Sequence, residues 1–157
     1  MDSKNWAWIG KYIIVIFAVL VMGSILGNLP LFKSAIPGTS KLTASLLVEF
    51  IAQSAALTLL WMLGWQSAIQ MRASGPRLTV VATILVALIT LIVAAIGYVV
   101  LASFIDPFTS KGVKQVVDWL FILGVVAAAS WFILALFAGT DDLIATVRDA
   151  MGGRKRV

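Results

Sequence analysis

The sequence predicts an all-α polytopic membrane protein: four transmembrane helices in a bundle, then a short C-terminal interfacial amphipathic helix. Three observations predict this. Hydrophobic residues make up 61% of the chain and charged residues 12%, where a soluble domain carries about 25% charge. The mean hydropathy is +1.04, and a chain of 157 residues has too little interior to hide so much apolar surface from water. The lysines and arginines stand singly between long apolar runs, the pattern that loop charges make between membrane spans. Positions 1–157 therefore read as one membrane domain.

The first span is expected over 12–29, preceded by Lys4, Lys11, Trp6 and Trp8. Its length along a helix, roughly 27 Å, is close to the hydrocarbon thickness, and the two tryptophans suit the membrane–water interface. A cleavable signal would have an apolar core of about 7–15 residues and a small-x-small cleavage site. This run is longer and ends at Asn28-Leu29-Pro30, so it reads as a retained helix. Pro30, Pro37-Gly38 and Ser40 then punctuate a loop, because proline and glycine stop a helix from running through.

The second span is expected over 42–69 and holds Glu49, Gln53 and Gln66. At 100° per residue Ser45, Glu49, Ala52, Gln53, Ala56, Leu60, Gly64 and Ser67 form one stripe. Leu47, Phe50, Thr58, Trp61 and Trp65 fall opposite and are expected to face lipid, because close helix contacts favour small and polar residues.

A turn at Ser74-Gly75-Pro76, between Arg72 and Arg77, leads to the third span, 78–105. That run contains no charge and would extend about 42 Å, so it must tilt or protrude. Its small face is Thr79, Thr83, Ala87, Thr90, Ala94 and Gly97. Asp106-Pro107 ends it, and the fourth span is expected over 113–138, with Gly124, Ala128, Ala135 and Gly139 on one side. Asp118, one turn after Lys114, reads as half of a surface ion pair, and Trp119 as an interfacial anchor.

Gly139-Thr140-Asp141-Asp142 is expected to break the fourth helix, with Thr140 capping a new one over 141–151. Leu143, Ile144, Val147 and Met151 share a face of that segment, the pattern of a helix lying in the interface. A basic tail, Arg154-Lys155-Arg156, follows.

Positive charge sets the orientation. Lys4, Lys11, Arg72, Arg77, Arg148, Arg154, Lys155 and Arg156 lie on one side, against Lys33, Lys41, Lys111 and Lys114 on the other. The positive-inside bias puts both termini in the cytoplasm, in a bacterial inner membrane.

The residues that carry chemistry are few. The chain has no cysteine and no histidine, which removes thiolate and imidazole ligands and nucleophiles. No cofactor or metal is expected, no catalytic role, and no nucleic-acid partner, since no basic stripe interleaves with aromatics. Glu49 is the one ionisable residue well inside an apolar run, and such a carboxylate marks a functional site or a polar contact. Gln53, one turn on, can hydrogen-bond to it or reach a neighbour with it; Lys41 is a second possible partner. Helix packing is expected at Gly23, Gly27, Gly64, Thr83, Ala87, Thr90, Gly97, Gly124 and Ala128. The reading that follows is a non-catalytic accessory or assembly subunit, held among other integral membrane proteins and the lipid bilayer. The alternative is a homo-oligomeric channel or transporter with Glu49 and Gln53 lining the path.

Overall fold

The computed structural model describes residues 7–33 and 43–152, with the side chains of 76–77, 141–143 and 145–152 left aside. The helices are α1 (Ala7–Asn28), α2 (Ala44–Ala73), α3 (Pro76–Ile105) and α4 (Lys111–Gly152), with a 3-10 turn at Pro30–Phe32. All four are long and apolar enough to cross a membrane, so this is a multi-pass protein in contact with a lipid bilayer.

Each helix runs further than its apolar stretch. α1 starts five residues before position 12 and passes through Lys11, and α2 continues through Arg72. Long basic side chains near a span's end reach water without leaving the helix. Thr43, in extended conformation, starts α2 by accepting the Leu46 N–H at 3.3 Å on its hydroxyl. The α2–α3 connection is only Ser74 and Gly75. Gly75 sits at φ 143°, where a side chain is strained, and Pro76 opens α3.

The break expected at Gly139–Asp142 is absent, and the segment expected as a separate helix over 141–151 is the end of α4. Thr140 is therefore not a cap: its hydroxyl donates to the Leu136 carbonyl at 2.8 Å, a bond made inside a helix. Gly139 stays helical because the helix packs there. A Cβ at that position would stand 2.6 Å from Val80 Cγ1 and 3.1 Å from Ile84 Cδ1 of α3. The apolar face expected of Leu143, Val147 and Met151 lies outside the described side chains; Ile144 is exposed. Also outside the described residues are Lys4, Trp6, the Pro37-Gly38 loop with Lys41, and the basic tail.

The bundle is a row folded in chain order: α1 packs on α2, α2 on α3, and α3 on α4. The interior is made of small side chains. Ala52, Ala56, Ala68, Ala82, Val86, Ala87, Val100, Ala128 and Ala135 are buried, and among the described residues no polar side chain is. Large apolar side chains point outward from every helix, including Phe17, Trp61, Trp65, Leu123 and Phe137. That is an inside-out distribution for water and the ordinary one for lipid, where close backbone approach holds helices together.

Phe50 departs from the lipid-facing expectation. Its ring stacks on Phe104 of α3 at 4.2 Å between centroids, and Phe104 in turn meets Phe108 at 5.8 Å. α2 lies between two neighbours and so has two protein-facing sides, where a single stripe allows one.

Candidate functional site between the first two helices

The crossing of α1 and α2 is built on Gly23 and Gly27. Gly23 lies against Ala52, so closely that a Cβ on Gly23 would overlap the alanine methyl. One turn on, a Cβ on Gly27 would stand 2.6 Å from Glu49 Oε1 and 2.9 Å from its Cγ. The glycines four apart thus receive two side chains of α2, and Glu49 lies across the last turn of α1. This is the Gly-x-x-x-Gly geometry of close membrane helix pairs.

The same contact satisfies backbone that the end of α1 leaves open. The last carbonyls of a helix have no partner within it. The Ser45 hydroxyl of α2 donates to the Gly27 carbonyl at 2.6 Å, while the Asn28 side-chain amide turns back on its own helix to the Ser24 carbonyl at 2.9 Å. Glu49 Oε1 lies 3.5 Å from Ser45 Oγ, at the limit of a hydrogen bond. The structure makes no Glu49–Gln53 hydrogen bond among the described residues, and the Lys41 alternative lies outside them.

Although Glu49 packs on Gly27, it and Gln53 remain exposed. They line a cleft of about 280 Å³ with Leu20, Gly23, Ser24 and Ala52, open toward the outside of the helix pair. Among the described residues no lysine or arginine pairs with Glu49.

A second polar contact joins α3 to α4 at the same end of the bundle. Tyr98 donates its hydroxyl to Asp118 Oδ1 at 2.9 Å, and its ring lies 5.4 Å from that of Phe121. Lys114 pairs with Asp106 at 2.6 Å. The expected Lys114–Asp118 pair is thus replaced: the helix start brings Lys114 back over Asp106, and Asp118 turns to α3. Tyr98 has a visible signal, as the one tyrosine in a run without charge.

The remaining packing positions divide in two. Gly64 sits on Ile89 of α3, where a Cβ would meet Ile89 Cδ1 at 2.5 Å, and Ala87 and Ala128 are buried. Thr83 and Thr90 donate to carbonyls of their own helix, those of Thr79 at 3.0 Å and Val86 at 2.8 Å. Among the described residues no atom of another helix lies within 4 Å of a Cβ position at Gly97 or Gly124, so neither serves a close contact there.

Comparison of the chain with protein-family models, with curated proteins and with solved structures finds no match.

Proposed function

We propose that the chain is a non-catalytic accessory or assembly subunit of a larger complex in a bacterial inner membrane, with both termini cytoplasmic. The observation that carries this reading is on the outer face of α4. Leu120, Gly124, Ala127 and Trp131 succeed one another there at helical spacing, all exposed, so two small residues form a saddle between two large ones. A glycine inside a helix costs about 1 kcal/mol relative to alanine. At Gly23, Gly27, Gly64 and Gly139 a close contact within the chain uses the missing side chain. At Gly124 nothing among the described residues does, and a helix of another protein fits the saddle. The lysine and arginine distribution supports the orientation.

The test is purification through a tag after Val157 in mild detergent, followed by native mass spectrometry. Larger membrane proteins in fixed stoichiometry are expected with the wild type and lost with Gly124→Leu, whose new side chain has room in the isolated fold. A homo-oligomer with no other protein, conducting ions in vesicles, would replace this reading with the channel one.

A further inference from the structure

We infer that the α1–α2 cleft is a binding site for the headgroup of an aminophospholipid, a zwitterionic lipid bearing a primary ammonium. The cleft has a polarity order along the helix axes. Glu49 lies at the level of Gly27, one residue from the end of α1, and so at the headgroup end of the span. Gln53 is one turn deeper, beside Ser24, and Leu20 lies a further turn down. A rise of 1.5 Å per residue makes that descent about 10 Å. Polar groups at the mouth and an apolar floor toward the bilayer centre match an amphiphile standing along the membrane normal.

The polar groups also match one headgroup in kind. Among the described residues Glu49 has no cationic partner, and neither the Gln53 side-chain amide nor the Ser24 hydroxyl makes a hydrogen bond. A carboxyl group with no partner favours a donor that is itself charged, and a primary ammonium gives it charge-assisted N–H bonds. A quaternary ammonium has no N–H to give, and an anionic headgroup meets Glu49 with like charge. The Gln53 amide N–H and the Ser24 hydroxyl are donors about one turn from Glu49, the separation at which an ammonium and the phosphodiester of the same headgroup can both be met.

A basic side chain from a partner helix is the competing occupant. Such a helix would need small residues free to receive it, and Gly23 and Ala52 of the cleft are already packed on each other.

The experiment uses the full chain, delipidated in detergent and titrated with phosphatidylethanolamine, phosphatidylcholine or phosphatidylglycerol of matched acyl chains, read by native mass spectrometry. One phosphatidylethanolamine is expected to bind about tenfold more tightly than phosphatidylcholine, the scale of one hydrogen bond to a charged group, with phosphatidylglycerol weakest. Glu49→Gln, nearly isosteric, should bring the preference below about twofold. Ser24→Ala should weaken all three lipids together, and Gln66→Leu, elsewhere on α2, should change none. Parity of the lipids, preference for phosphatidylglycerol, or a preference that survives Glu49→Gln would each overturn the assignment. So would a Glu49-dependent protein adduct that excludes lipid. None of these outcomes depends on whether α4 carries a partner.

Discussion

Gly27 and Glu49 share one volume: the carboxylate side chain occupies the space where a β-carbon of residue 27 would be, 2.6 Å from Oε1. Gly27→Ala must move Glu49 or spread the helices, and overpacking of this kind costs about 1–3 kcal/mol. Unfolding from mild-detergent micelles by added sodium dodecyl sulfate should show that loss. Glu49→Ala in the same chain should recover most of it, by emptying the contested space. An unchanged midpoint for Gly27→Ala would mean that Glu49 moves away at no cost.

Two glycines should respond with opposite sign. Gly64→Leu places a large side chain on Ile89 and should part α2 from α3, with a loss of at least about 1–3 kcal/mol. Gly97→Ala enters open space on a helix and should gain about 0.5–1 kcal/mol through reduced backbone freedom in the unfolded chain. Equal effects from the two would contradict the packing assigned to α3.

The Phe50–Phe104 stack should be visible as a coupling energy. A double-mutant cycle with leucine at both positions is expected to give about 0.5–1.5 kcal/mol. Additive single effects would return Phe50 to the lipid-facing side.

Orientation can be read with reporters. Fusions after Val157 and within the Ser74–Gly75 turn should report the cytoplasm, and one within the Pro107–Ser110 turn the opposite side. The inverse pattern would show that the lysine and arginine asymmetry does not govern insertion here.

The spans were legible because a membrane helix writes itself in one dimension, as a long apolar run. The packing side of α1 was legible as well: Gly23 and Gly27 needed only their spacing. Phe50 was not, because its partner lies more than fifty positions away and a helical wheel cannot say how many neighbours a helix has. The same limit hid the division among glycines: Gly64 and Gly124 look alike until it is known which helix stands opposite. Gly139-Thr140 reads as a break by the rules of helices in water. Here α3 rewards the missing side chain, and Thr140 satisfies its hydroxyl on its own helix, so the chain continues. Glu49 was picked out by charge alone, and its seat on Gly27 is a tertiary fact.

The 42 residues of α4 measure about 63 Å end to end. A bilayer with its headgroups is about 40–45 Å thick, and even at a tilt of about 40° the helix still rises some 48 Å along the normal. Its apolar span, Lys111–Thr140, occupies the first part, so α4 is longer than the bilayer is thick and continues for about three turns past that span. Gly139, packed on Val80 and Ile84, lies at the end of that span. The turns beyond the apolar span are thus joined to α3 through the Gly139 contact, in one continuous helix.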